Sequence, residues 1–356
     1  MKYYFEYQDS KSYKFWQIEI EEATLVVKYG KIGTAGQEKT TSFDSAEQAQ
    51  KEMAKLIAEK TKKGYVEKGA ASAKKVAKRI AVNYEEAEAG KTLLEKVEAF
   101  LGTPQAAQVE SLVIAAWEDA YENGPQEALD MLAGNAAKLP NLKELFVGDM
   151  DSEECEISWI NQGDYTNIFP AFPGLERLHI KGSTSLVLSE MPIQHKNLKA
   201  LTIECGGLPK KIIETLTSAK LPELEFLLLY LGVDEYGFDA TMADLRPFMT
   251  AQLFPKLTYL GLVDSQIADE IALEIAQAKV LDQLETLDLS LGTLTDQGGQ
   301  ALLASSQILK LKKLDLHYHF LSNDMMKKFK QLAIQVDVSD QQAVDEDDYR
   351  YPAVTE

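Results

Sequence analysis

Leucines recur in one short pattern over most of this 356-residue chain. In the stretch LETLDLSLGTLTDQGGQALLAS, Leu284, Leu287 and Leu289 have the spacing of a short strand that turns Leu287 and Leu289 to one face. Leu291 and Leu294 then turn the chain, and Thr295 is placed to cap a helix carrying Ala301 and Leu302. The same pattern begins at Val109, Leu142, Leu175, Leu198, Leu224, Leu257, Leu284 and Leu311, with steps of 23 to 33 residues. A lone strand-plus-helix unit cannot bury its own apolar face, so the pattern predicts a stack of such units with a parallel sheet. Return helices are predicted over 125–139, 209–219, 268–278, 295–305 and 322–332.

A different periodicity runs ahead of the repeats. Tyr3, Phe5 and Tyr7 alternate with polar residues, FWQIEI from Phe15 alternates again, and TLVVKY from Thr24 is rich in β-branched and aromatic residues. The turn at Gly30-Lys31-Ile32-Gly33 and another at Gly36 separate these strands. Ser45 opens a helix with Ala49, Met53, Leu56 and Ile57 on one side; Lys60, Lys62 and Lys63 close its last turn before Gly64. The reading is a small antiparallel sheet with one helix over 1–68. A linker and cap follow over 69–108, where Lys74, Lys75, Lys78 and Arg79 are expected on the solvated face of an alanine-rich helix and 91–101 on an amphipathic one. The repeats occupy 109–336. The last stretch, 337–356, reads as a tail that Asp345, Glu346, Asp347 and Asp348 hold extended, with Tyr349, Tyr351 and Pro352 able to pin its end on the last repeat.

The segments KFWQIEI, VVKYGKIGTAGQ and KTTSFDSAEQAQKEMAKLIAEKTKKGYVE together resemble the WGR domain. That family is named for a Trp-Gly-Arg signature at a strand end. It occurs in poly(ADP-ribose) polymerases, where it contacts DNA ends, and in bacterial proteins of the molybdate-metabolism-regulator type. Here Tyr29 stands at the Trp position, Gly30 is kept and Lys31 replaces Arg. The resemblance implies a nucleic-acid surface formed by Lys28, Tyr29, Gly30, Lys31 and Lys39. An aromatic beside a cation suits base or sugar stacking next to a phosphate, and lysine lacks arginine's planar fork. The repeats, LTDQGGQALL above all, resemble the ribonuclease-inhibitor-like class of leucine-rich repeats. Their family often has Asn or Cys after the strand; here Ser183, Gly206, Gly232, Ser265, Gly292 and His319 stand there, so the internal ladder is expected to be weaker or supplied by hydroxyls, with irregular curvature. The expected architecture is an α+β WGR-like unit joined to an α/β leucine-rich-repeat solenoid with a parallel concave sheet.

Charge divides the chain in the same place. The net charge is −19, yet residues 1–80 hold 16 basic against 11 acidic residues, a balance of +5 that leaves −24 for the rest. A basic front on an acidic body implies different partners for the two parts, and only weak nucleic-acid binding at physiological salt. The longest apolar runs fall far short of the roughly 20 residues of a membrane helix, and the start MKYYFEYQDSK has no apolar signal core, so a cytoplasmic protein is expected. Cys155 and Cys205 are expected as reduced, buried thiols.

No phosphate loop, G-x-S-x-G elbow or H-E-x-x-H is present, and His317 and His319 share a strand face with only Asp315 as an obvious third ligand. No cofactor, no metal and no catalytic site are expected. In the long loop after the strand from Leu142, Trp159, Ile160, Ile168 and Phe169 are expected to pack, with Asp149, Asp151, Glu153, Glu154 and Glu156 in solvent. Side chains alternate on strands, so the concave face is read off as Phe146, Arg177, His179, Lys181, Phe226, Tyr230, Tyr259 and Asp288, with Glu144, Thr202, Glu204, Asp315 and His317 beside them. Aromatics mixed with cations suit a protein partner. The function expected is that of a non-enzymatic binding or adaptor protein.

Overall fold

A computed structural model describes residues 2–9, 12–21, 23–31, 36–43, 45–70, 76–344 and 349–354. The turn residues Ile32 and Gly33, the lysines Lys74 and Lys75, and the acidic run from Asp345 to Asp348 lie outside the described residues.

In the N-terminal unit the strands are β1 (Lys2–Asp9), β2 (Ser12–Glu21), β3 (Thr24–Lys31) and β4 (Gln37–Ser42), followed by helix α1 (Ala46–Lys62) and strand β5 (Val66–Ala70). They form an antiparallel sheet in the order β4-β3-β2-β1-β5. The register sets Phe5, Trp16, Ile18 and Leu25 on one face, where with Met53 of α1 they form the core. Ser45 caps α1 by accepting the Gln48 N–H at 3.2 Å, and Gly64 ends it at φ +83°. The fifth strand, β5, was not legible in the sequence; it pairs with β1 beyond the end of the helix.

The second sheet has ten strands among the described residues. In chain order its strands and helices are β6 (Ala77–Ile80), α2 (Tyr84–Glu88), α3 (Leu93–Leu101), β7 (Ser111–Ala115), α4 (Gln126–Gly134), β8 (Glu144–Asp149), α5 (Ile168–Ala171), β9 (Arg177–Lys181), β10 (Ala200–Glu204), α6 (Lys210–Thr217), β11 (Phe226–Gly232), α7 (Met242–Leu245), β12 (Tyr259–Ser265), α8 (Ala268–Ile275), β13 (Thr286–Asp288), α9 (Asp296–Ala304), β14 (Lys313–Asp315), α10 (Asn323–Phe329) and β15 (Gln335–Asp337). The sheet runs from β6 to β15 in unbroken sequence order, and every strand from β8 to β15 pairs in parallel with its neighbour in that series. All eight leucine units therefore supply a strand each, and β6 and β15 extend the sheet at its ends.

Strand β6 corrects one expectation. Lys78 and Arg79 sit on a strand rather than a helix, in a segment that leads into the buried Ile80 and Val82. The acidic stretch after it, expected as linker, folds as α2 through a capping box between Asn83 and Glu86. Thr92 and Glu95 make the same reciprocal cap on the predicted amphipathic helix α3.

Leu178, Ile180, Leu201, Ile203, Leu227, Leu229, Leu260, Leu262, Leu287 and Leu314 form the fully buried row that faces the helices. The hydroxyl ladder is present in part. Ser183 Oγ donates to the Gly207 carbonyl at 2.8 Å, Ser265 Oγ accepts the Ile267 N–H at 3.1 Å, and His319 Nδ1 accepts the Leu321 N–H at 3.0 Å. Cys155 and Cys205 are buried free thiols; burial pushes Cys205 up to about 12, which keeps it protonated and inert.

Candidate functional site

Parallel pairing in constant register lines equivalent residues into rows across the sheet. On the face turned away from the helices one row reads Phe146, His179, Thr202, Leu228, Gly261, Asp288, Asp315 and Asp337. The preceding row contains Glu144, Arg177, Ala200, Phe226, Tyr259, Thr286, Lys313 and Gln335. The face predicted from strand alternation thus exists as two adjacent rows, and its chemistry changes along the sheet.

At the β8–β10 end, Phe146 stacks on His179 with ring centroids 3.8 Å apart. His179 Nε2 lies 3.1 Å from Glu204 Oε2, and Lys181 Nζ donates to the Met150 carbonyl at 2.8 Å while standing 3.8 Å from Glu204 Oε1. Arg177 is exposed and pairs with Glu144 at 3.3 Å. Mid-sheet, Phe226 and Tyr259 stack at 4.1 Å, both half-buried. Of the residues read off for this face, Arg177 is exposed, His179, Lys181, Phe226 and Tyr259 are partly exposed, and Phe146, Tyr230 and Asp288 are buried.

The β12–β15 end is a polar cluster. The Tyr259 hydroxyl donates to Asp288 Oδ2. Lys313 Nζ and His317 Nδ1 each lie 2.7 Å from Asp315. Burial and the neighbouring Asp315 push the Asp288 carboxyl up. Burial acts to raise Asp315 too, but the His317 and Lys313 contacts outweigh it and hold Asp315 down. Burial acts to lower His317, and the Asp315 hydrogen bond and charge override it, so the imidazole holds its proton more tightly than usual. The proton affinities of two neighbouring carboxyls are thus shifted in opposite directions. Asp315, His317 and Asp337 have ligand atoms within 4.8 Å of one another, and Asp337 is the third group that the sequence did not reveal. Their chemistry already has a cation, since the Lys313 ammonium is bonded to Asp315.

Between these two ends lies an apolar patch made of Leu228, Tyr230, Val263 and Leu291, and it is covered. Ile157, from the 3-10 turn Ile157–Trp159, packs on it, and so does Val354 from the far end of the described chain. Two expectations change here. Trp159 is 57% exposed rather than packed, because the short turn that directs Ile157 inward directs Trp159 out; Ile160, Ile168 and Phe169 are buried as expected. The pinning expected of the last stretch is present in part and falls elsewhere: Pro352 is buried while Tyr349 and Tyr351 are exposed, and Val354 packs with Leu228, Tyr230 and Val263 rather than on the last repeat.

A crystal structure of a protein from Bacteroides fragilis matches the whole chain, with 39% identity, a TM-score of 0.80, and coverage of 100% of this chain and 99% of that one. The chain belongs to the family of that Bacteroides protein. Residues 1–72 match the WGR domain family. Two relatives from Escherichia coli strain K12 share parts of it: YfeS is 54% identical over 67 residues, 19% of this chain and 28% of YfeS, and YehF is 26% identical over 212 residues, 54% of this chain and 76% of YehF. The chain therefore spans little more than a quarter of the length of YfeS.

Within this WGR domain the five predicted nucleic-acid contacts are divided between two faces. Register places Tyr29, Lys31 and Lys39 on the face that carries Trp16 and Val27, and Lys28 and Gly30 on the other. Tyr29 is 40% exposed. A residue the signature does not include stands out instead: Lys60 Nζ lies 4.5 Å from the Tyr65 ring centroid and 5.7 Å from that of Trp16. Burial, then the nearby charges of Lys63 and Lys14, lower its proton affinity. Lys60 thus stands beside two aromatic rings, with Lys63 and Lys14 near enough to act on its charge and Lys31 the register partner of Lys14. The spacing of Lys60 in the last turn of α1 was a usable sequence signal; its aromatic partners were not.

Proposed function

We propose that the protein is a non-enzymatic, cytoplasmic binding or adaptor protein whose C-terminal repeats, read as ribonuclease-inhibitor-like leucine-rich repeats, recognise a protein partner through the helix-free face of the sheet. The observation that supports this is the row of in-register stacked pairs, Phe146 with His179 and Phe226 with Tyr259, flanked by Arg177, Lys181 and the Asp288–Asp315 cluster. Rigid aromatics set on adjacent strands, with charges of both signs around them, are the composition of an interface anchor. No helix among the described residues is long and apolar enough to cross a membrane. Affinity capture tests the reading: the intact protein is expected to enrich a defined partner that a Phe226→Ala, Tyr259→Ala double variant loses by about 10-fold or more. Equal enrichment by both proteins discards this face.

A second reading is supported by the lysine-and-ring cluster of the WGR domain, which suits a nucleic-acid end or nick as a second contact. Full-length protein titrated with nicked duplex DNA is then expected to lose roughly 10- to 100-fold in affinity between about 50 and 200 mM salt, the change for a few neutralised phosphates. Lys60→Ala is expected to flatten that slope as much as Lys31→Ala. Binding that is absent at low salt, or indifferent to salt, removes the nucleic-acid reading.

A further inference from the structure

Three residues outside glycine that adopt left-handed backbone occupy the same position in three successive repeats: Asp264 at φ +54°, Leu291 at +66° and Tyr318 at +56°. They follow the first leucines of their repeats, Leu257, Leu284 and Leu311, by the same offset, and each touches the segment 351–354. The Val354 N–H donates to Asp264 Oδ1 at 2.8 Å, the Ala353 N–H donates to the Leu291 carbonyl at 2.8 Å, and the Tyr318 hydroxyl donates to the Tyr351 carbonyl at 3.1 Å. Left-handed residues other than glycine carry strain of roughly 1–3 kcal/mol each and persist where surrounding structure or function requires them. Here the strain aligns one carboxyl, one carbonyl and one hydroxyl along a ledge.

The ledge reads main chain rather than side chain, because all three of its contacts go to peptide N–H and C=O groups. Beside it, the patch of Leu228, Tyr230, Val263, Leu291 and Ile157 takes one aliphatic side chain, that of Val354, with Ala353 packed at its rim and Pro352 buried before it. Backbone contacts that provide affinity, next to a pocket that selects one side chain, are how extended peptides are recognised. Asp264 is fully buried beneath the segment, its Oδ1 accepts the Val354 N–H and its Oδ2 has no hydrogen-bond partner.

We propose that this ledge is the docking site for an extended segment of the partner protein, with a small aliphatic residue two positions after a proline, and that Tyr351–Val354 is a built-in competitor for it. The inference rests on the proposed role of the helix-free face and adds to it the chemistry of the partner and an intramolecular block. A tethered competitor acts at an effective concentration in the millimolar range, so an incoming segment binds with its affinity reduced by the fraction of chains whose ledge is open.

The test uses the full chain and a labelled peptide of residues 348–356, DYRYPAVTE, followed by fluorescence anisotropy. Val354→Asp places a charge in the aliphatic pocket without altering the ledge, and Ala353→Pro removes a donor; neither residue belongs to the leucine rows of the sheet. Both variants are expected to bind the peptide at least about 10-fold more tightly than the unmodified protein, and a peptide carrying Val354→Asp is expected to bind neither. Trypsin cleavage after Arg350, which is exposed, provides the second readout: it is expected to accelerate in both variants as the segment leaves the ledge. Unchanged cleavage together with unchanged peptide affinity overturns the inference and leaves the face open to other partners. Faster cleavage with no peptide binding to any protein overturns the inference and the peptide-recognising role of the face together.

Discussion

Replacing Asp264 by asparagine is expected to remove a pH dependence from the stability of the C-terminal unit. The wild-type carboxyl is fully buried, with Oδ2 lacking a partner, and Glu204 adds like charge nearby. Burial pushes its pKa well above the usual carboxylate range despite the Val354 and Ala353 N–H groups, which act to lower it. In the unfolded chain an aspartate gives up its proton near pH ~3.9. Between that point and the raised native value the folded state binds one proton more than the unfolded state. The stabilisation that this proton represents is complete below the unfolded pKa and is lost as pH rises, at about 1.4 kcal/mol per pH unit for one group. The introduced amide keeps an oxygen for the Val354 N–H and has no proton to lose. Urea denaturation of both proteins from about pH 5 to 8 is the measurement, because the other groups that titrate there, His317 included, are common to both and cancel in the difference. The expected outcome is a difference that moves steadily in favour of the variant as pH rises; a difference independent of pH means that the carboxylate is ionised throughout.

Gly232→Ala is the substitution expected to damage the fold most. Gly232 has φ +69°, and a Cβ there falls 1.7 Å from the Gly206 carbonyl oxygen and 2.6 Å from the Gly207 nitrogen. Both atoms belong to backbone that cannot swing aside, since the Gly206 carbonyl accepts the Val233 N–H at 2.9 Å and Gly207 bridges to Gly232. Left-handed alanine costs about 1–2 kcal/mol and forced backbone displacement about 1–3 kcal/mol, so a loss of roughly 2–5 kcal/mol is expected. Gly134→Ala is the comparison. It closes α4 with nothing within 4 Å of a Cβ, and it should change stability by less than about 1 kcal/mol. Urea midpoints for the two variants read the contrast directly, and equal midpoints would show that the β10–β11 connection yields.

Much of the candidate site was legible in the strand pattern. Phe226, Tyr259, Asp288, Asp315 and His317 could be placed on one face because strand side chains alternate, and the parallel register then brought them together. Alternation is silent where a strand ends. Asp264, Leu291 and Tyr318 lie at or beyond the ends of their strands, where backbone angle rather than period decides direction, and only their 27-residue spacing in equivalent repeats hinted at a shared role. Asp337 and Ile157 were missed for a related reason, since each comes from an element too short to announce a face. On the WGR domain, Tyr29 and Lys31 are singled out by the signature alone, whereas Lys60 and the rings around it come together only when α1 packs on the sheet.

By itself the sequence determined the repeating strands, their order and the buried leucine row, because those follow from local period and from the inability of one unit to bury itself. Tertiary structure alone decided what covers the opposite face. Whether Val354 reaches Val263 depends on how a strand path closes over about 90 residues, and no local pattern carries that distance.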